Sequence, residues 1–184
     1  MLKREEALEL VKRNVAKKTI LYHMLAVEAI MRNVASHLKE DEDLWGLTGL
    51  VHDIDYEKTE ATPERHATLA EQILKDTVPE EVQRAIRAHN FQHTAVVPET
   101  SMEKALIASD AISGLLVACA LVMPSKKLSD VKVETVTKKF KDKDFARGAD
   151  RKRILLCEDI GVPKEKFFEI ALNGLKNVAT ELGL

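Results

Sequence analysis

"ALIASDAISGLLVACALVM", Ala105 to Met123, is the greasiest stretch of the chain, and its reading decides the fold class. It is nearly long enough to span a bilayer, but Asp110 interrupts it. The uninterrupted run from Ala111 to Met123 is too short to cross a hydrocarbon core. We therefore expect a helix buried in protein, capped by Ser101 and closed by Pro124. Asp110 then becomes the most informative residue. Its helix is apolar on nearly every side, so its carboxylate points into the protein, where an unpaired charge is very unfavourable. Lys104 lies too early and Lys126 too late to neutralise it within one helical turn, so the partner comes from elsewhere in the chain. A metal ion supplies such a partner and accounts for the burial.

Working outward, periodicity is helical almost throughout. Ala7, Leu8, Val11 and Val15 form one stripe on a first helix. Thr19 is a candidate cap for a second, in which Ile20, Met24, Val27, Ile30, Met31 and Val34 recur at three- and four-residue steps. "DEDLWGLTGLVHD" (41–53) is a third helix, with acids at its start as the helix dipole prefers. Thr62-Pro63-Glu64 reads as the start of a helix running through Leu74, and Pro79 opens another, "PEEVQRAIRAHN". After Pro124 the character changes. "SKKLSDVKVETVTKKFKDKDFARGADRKR" (125–153) is rich in lysine and arginine. Further helices follow, broken at Gly161-Val162-Pro163. These patterns predict an all-α fold, a helical bundle of roughly seven to nine helices. Its core spans residues 1–123, and a C-terminal helical extension, 124–184, packs on that core within one domain.

Composition narrows the function classes. In 184 residues, 45% are apolar and 32% charged, an ordinary globular balance that leaves enough apolar mass for a sizeable core. Seven glycines and five prolines leave little turn material, which speaks against an all-β fold. A net charge of −2 provides no global field to draw in nucleic acid or an anionic membrane, so neither is an expected partner. Cys119 and Cys157 stand far apart, in no zinc-like or redox-like spacing, and read as reduced thiols of a cytoplasmic protein. The N-terminus, "MLKREEALELVKRN", is charged and amphipathic, without the apolar segment of a signal peptide.

The chemistry lies in the histidines and acids. His52 and Asp53 arrive side by side at the end of an apolar helix. Adjacent helical residues point about 100° apart, yet near a helix end they can converge on one ion from two sides. His23 sits beside the apolar stripe of the second helix, His66 in the first turn of the fourth, and His89 near the end of the fifth. With Asp110, five helices each offer a metal-competent group. Imidazole nitrogens and carboxylate oxygens together suit Mn, Fe, Zn, Ni or Mg. His37, near the polar end of its helix, reads as plain surface.

His23, then His52-Asp53, then Asp110, in that order on separate helices, resembles the HD superfamily of metal-dependent phosphohydrolases. "HDID", His52 to Asp55, looks like the HDIG-type variant of the motif, with Asp55 where glycine is common. "RHATLAEQIL" and "AIRAHN" resemble the additional histidine positions of members that bind two metals. The likeness covers about residues 19 to 123, and the tail is similar to the C-terminal part of small uncharacterised bacterial and archaeal HD proteins. The resemblance implies an HD-domain bundle that cleaves a phosphoester or phosphoanhydride bond of a small nucleotide-like substrate with a metal-activated hydroxide. It implies two divalent ions: His23, His52 and Asp110 on the first, His66 and His89 on the second, and Asp53 bridging both as the catalytic carboxylate. With one ion, His66 and His89 would instead bind substrate oxygens or protonate the leaving group. Position 55 is not a ligand in the family. Two other readings stay open: a non-catalytic regulatory or ligand-binding HD module, and a di-iron HD-type oxygenase.

An anionic substrate needs positive groups beyond the metals. His93, just past the fifth helix, and Lys126, Lys127 and Arg147 in the tail are the expected substrate-binding residues. Tyr56 is the aromatic nearest the motif. The basic clusters mix both signs and are poor in aromatics, which does not make a nucleic-acid stripe. A homo-oligomer is compatible with every one of these readings.

Overall fold

The structure, a computed structural model of the chain, describes residues 2–184. Among these, all regular structure is helical. Eight helices run for seven residues or more: α1 (Arg4–Asn14), α2 (Lys18–Leu38), α3 (Glu42–Val51), α5 (Thr68–Leu74), α6 (Glu80–His89), α8 (Ser101–Leu121), α9 (Val133–Lys141) and α11 (Lys164–Asn177). Four are single turns: α4 (Tyr56–Thr59), α7 (Phe91–Thr94), α10 (Arg151–Ile154) and α12 (Ala179–Leu182). Short 3-10 turns occupy Pro63–Arg65, Leu128–Asp130 and Leu155–Ile160.

The centre belongs to α2 and α8, each 21 residues long, which pack against one another. By length and composition alone α8 could cross a membrane, yet most of it is buried inside the fold. Met102, Leu106, Ile107, Ile112, Leu115 and Leu116 are all buried, as the apolar run predicts. The cap is Thr100, one residue before the expected Ser101. Its side chain accepts the N–H of Glu103, and the Glu103 carboxylate accepts the N–H of Thr100 at 3.1 Å, a reciprocal box that only the residue three before a glutamate can close. Likewise Lys17, and not Thr19, holds the cap position of α2, which leaves Thr19 inside the first turn.

Two glycines set how closely α2 is gripped. A Cβ on Gly49 of α3 would lie 2.9 Å from the Glu28 Cα, and one on Gly174 of α11 would lie 2.7 Å from the Ala29 carbonyl oxygen. These are consecutive residues of α2, so backbone from α3 and α11 closes on it from two sides. Gly174→Ala is expected to cost about 1–3 kcal/mol, because neither helix can retreat without opening the core. Urea unfolding checks this: the midpoint falls while the slope stays unchanged. Through α11 the segment 124–184 enters the same apolar core as α2 and α8, with Phe167, Phe168, Leu172 and Leu175 all buried there. Cys119 and Cys157 are buried and free.

Candidate metal centre

The last carbonyls of a helix have no intrahelical N–H to accept. At the end of α3 and again at the end of α6, a histidine side chain uses one. His52 Nδ1 donates to the Gly49 carbonyl at 2.8 Å, and His89 Nδ1 donates to the Ile86 carbonyl. A carbonyl can only accept, so Nδ1 carries the proton and the Nε2 lone pair is free to bind a cation. At His23 and His66 other partners tie Nδ1 in the same way, and Nε2 is again the nitrogen turned inward. The Ser113 hydroxyl donates to the Asp110 carbonyl at 2.8 Å and so accepts from His23 Nδ1 at 3.1 Å. His66 Nδ1 donates to Asp55 Oδ1 at 2.8 Å.

The four Nε2 atoms converge on Asp53. Its Oδ2 lies 3.5 Å from His23 Nε2 and 3.5 Å from His52 Nε2, and its Oδ1 lies 3.3 Å from His66 Nε2 and 3.4 Å from His89 Nε2. Asp110 Oδ1 joins the first group, 3.2 Å from His23 Nε2. Two sets of donors result, His23–His52–Asp53 and Asp53–His66–His89, with all donor atoms of each set within 4.8 Å of one another. His52 is fully buried and His89 nearly so, whereas His23 and Asp110 are partly open.

Electrostatics shows what these donors lack. Burial favours the neutral form of Asp53, but His52, His66, His89 and His23 outweigh it and hold the carboxyl well below the usual range. Burial likewise opposes ionisation of Asp110, and the hydrogen bond and charge of His23 overcome it. On the histidines the balance splits. Burial pushes His52 down to about 4, with Asp53 opposing only in part. Burial also works against charge on His66, but Asp53 and Asp55 prevail and raise it to about 10. His23 also rises, against burial, through Asp110 and Asp53. The buried carboxylates thus pull positive charge onto imidazoles whose other nitrogen is already tied. A divalent cation supplies that charge directly, so the donor set fits one. The C-terminal ends of α3 and α6, next to His52 and His89, add partial negative charge in the same sense.

A cavity of about 420 Å³ opens beside Asp53, His23, His66, His89 and Asp110, and Tyr56, Asn90 and Arg153 help to wall it. The six expected metal-binding residues, His23, His52, Asp53, His66, His89 and Asp110, therefore come together. The four expected substrate-binding residues do not line this cavity. His93 is exposed on α7, where its Nδ1 bonds the Asn90 side chain at 2.9 Å. Lys126 and Lys127 are exposed beyond the end of α8, and from Asp110 to that end alone is about 16 Å of helix. Arg147 pairs with Asp144 at 3.0 Å on an exposed loop. His37 is exposed surface, as expected.

The continuous helix expected from Thr62 to Leu74 is also broken. Pro63–Arg65 is a 3-10 turn, His66 is extended (φ −62°, ψ 141°), and Ala67 has a positive φ of 71° before α5 begins. Asp55 is the reason. Fully buried, it takes His66 on one oxygen, and on the other it accepts the N–H groups of Ala67 at 2.9 Å and Ala70 at 3.0 Å. Asn90 fastens the same turn, donating to the carbonyls of His66 and Pro63. Asp55 was legible in principle, since the burial cost that singles out Asp110 applies equally to a third charge inside "VHDID". Arg153, by contrast, sits in a "DRKR" run that gives no sign of which base turns inward.

A family model for the HD domain matches residues 20–115 of the chain, from the first turn of α2 to five residues past Asp110. No curated protein and no solved structure matches it.

Proposed function

The chain belongs to the HD domain family, whose fold is typically that of a metal-dependent hydrolase, and from that premise we propose that it hydrolyses a phosphoester or phosphoanhydride bond of a small nucleotide-like substrate. The observation that carries this reading is Asp53, whose two oxygens each face a separate pair of imidazole nitrogens. In this reading His23, His52 and Asp110 hold one divalent ion, His66 and His89 hold a second, and Asp53 serves both. Bound there, the ions lower the pKa of water and screen the negative charge of the phosphate. The protein's own part is placement. The tethered Nδ1 atoms fix each ring, buried His52 and His89 keep bulk water from the inner wall, and Asp110 balances charge at the open side. Two divalent ions would carry more positive charge than the three carboxylates of Asp53, Asp55 and Asp110 offset, which leaves positive charge for an anionic substrate. The cavity has the size of a small-molecule site, and Tyr56, half-exposed on its wall, offers an apolar face for a base. Free, buried cysteines accord with a cytoplasmic setting.

The test is a phosphatase screen over nucleoside mono- and polyphosphates and cyclic nucleotides, with Mn, Ni, Mg, Fe and Zn varied. Turnover that a chelator abolishes and a metal restores is the expected result. No turnover with any metal, together with a mixed-valent di-iron spectrum, would move the assignment to an oxygenase; no turnover and no such spectrum would leave a binding module. Within this reading, His89→Ala lowers the metal stoichiometry from two towards one by elemental analysis, and an unchanged stoichiometry favours the one-ion version. His37→Ala changes neither stoichiometry nor rate.

A further inference from the structure

Arg153 lies outside the stretch that matches the family model, in the single turn α10. Asp150 starts that turn, accepting the N–H groups of Lys152 and Arg153, and α10 packs against α8. The two arginines of α10 do different work. Arg151 donates to the carbonyls of Lys139, Phe140, Asp142, Phe145, Ala146 and Ala149, and so is consumed in holding the end of α9 and the loop after it. Arg153 donates to one protein acceptor, the His89 carbonyl, and its Nε is buried with no partner. Its guanidinium lies over the Phe91 ring, 5.8 Å from the centroid, which steadies the plane without neutralising it.

Among the described residues no carboxylate lies within ion-pair distance of Arg153, although its Nε is withdrawn from water. It is also the one lysine or arginine lining the cavity beside Asp53, and with His23 and Asp110 it lines an adjoining recess of about 220 Å³. Asp110 and Asp150 also line that recess, but neither pairs with Arg153, so its guanidinium faces the metal-competent donors across one small cavity with its charge available to a bound anion. The planar fork of an arginine suits the oxygens of a phosphoryl group in particular.

We propose that Arg153 binds the phosphoryl oxygens of the substrate opposite the metal centre, so that the C-terminal extension supplies a working part of the site. This rests on the phosphohydrolase reading above and narrows it to substrates that present an accessible phosphoryl group to both.

The experiment measures inorganic phosphate binding to the metal-loaded full chain by calorimetry, for wild type, Arg153→Met, Arg153→Lys and the exposed neighbour Lys152→Ala, with metal content and melting temperature recorded for each. Arg153→Met is expected to weaken phosphate binding about 10- to 100-fold at unchanged metal content, the worth of charge-assisted hydrogen bonds lost with the guanidinium. Arg153→Lys keeps the charge and stem without the fork and recovers part of the loss; it also serves if the methionine variant fails to fold. Lys152→Ala binds as wild type. Wild-type phosphate affinity in Arg153→Met or Arg153→Lys, with a lowered melting temperature, would make Arg153 a strut under His89 and overturn the proposal. So would an absence of phosphate binding to the metal-loaded wild type. Hydrolysis indifferent to Arg153 removes this proposal and leaves the enzyme; phosphate binding that depends on Arg153, without hydrolysis of any substrate, removes the enzyme and leaves the anion site.

Discussion

Asp53→Ala is expected to yield a folded protein that retains no divalent metal and hydrolyses nothing. Asp53 alone belongs to both donor sets, so a single substitution removes a ligand from each. The loss at either set exceeds the roughly 10- to 100-fold in affinity that follows when only a supporting partner of a ligand is lost. The fold is expected to tolerate the change, because the Asp53 carboxylate contacts histidines and accepts no backbone N–H. His52 remains tied to Gly49 and His89 to Ile86. With the carboxylate gone, His23 and His66 lose a partner that favours their charged forms, so no repulsive cluster of cations is left behind. Elemental analysis, far-ultraviolet circular dichroism and the phosphatase assay read the three parts separately. Full metal-dependent turnover in this variant would show that the two histidine pairs do not share an ion-binding centre.

What the sequence reveals and what it hides divide along a physical line. Asp110 in an apolar helix and His52-Asp53 at the end of another are conspicuous because burying such groups is costly, and that cost is visible in the chain itself. The long apolar run of α8 and the heptad-like stripe of α2 are legible for the same reason: periodicity records which face is inside. The features that stay hidden are those fixed by partners remote in sequence. The break at His66 and Ala67 is made by Asp55 and Asn90, eleven and more residues away, so a local start signal at Thr62-Pro63 misleads. The single turns α4, α7, α10 and α12 are too short for any periodic signature. Cations suffer most. Lys126, Lys127 and Arg147 look as suitable as Arg153 when charge alone is weighed, and only the packing of α10 on α8 separates the one that reaches the cavity from those that face water.

Asp55→Asn is expected to keep the fold and lose one ion, and the reasoning turns on a single proton. In the native protein Asp55 Oδ2 accepts from Ala67 and Ala70, and Oδ1 accepts from His66 Nδ1. An asparagine meets both backbone donors only by placing its carbonyl oxygen towards them. Its amide nitrogen then faces His66 and must donate, which makes Nδ1 an acceptor and moves the ring proton to Nε2, the atom that faces Asp53 and His89. The opposite rotamer sets the amide donors against two buried N–H groups, each costing about 1–3 kcal/mol when unsatisfied. The favoured rotamer therefore holds His66 in the tautomer that cannot bind a cation through Nε2. Affinity at the His66–His89 set is expected to fall about 10- to 100-fold while the His23–His52 set retains its ion. Metal titration counts the ions, and nitrogen-15 chemical shifts of the His66 ring report which nitrogen carries the proton. Asp55→Ala offers the contrast. It leaves both N–H groups without an acceptor and Ala67 unsupported at φ 71°, so it is expected to melt well below Asp55→Asn. Two ions bound at wild-type affinity in Asp55→Asn would mean that the ring proton of His66 is not governed by residue 55, and that the second histidine pair is oriented by the turn itself.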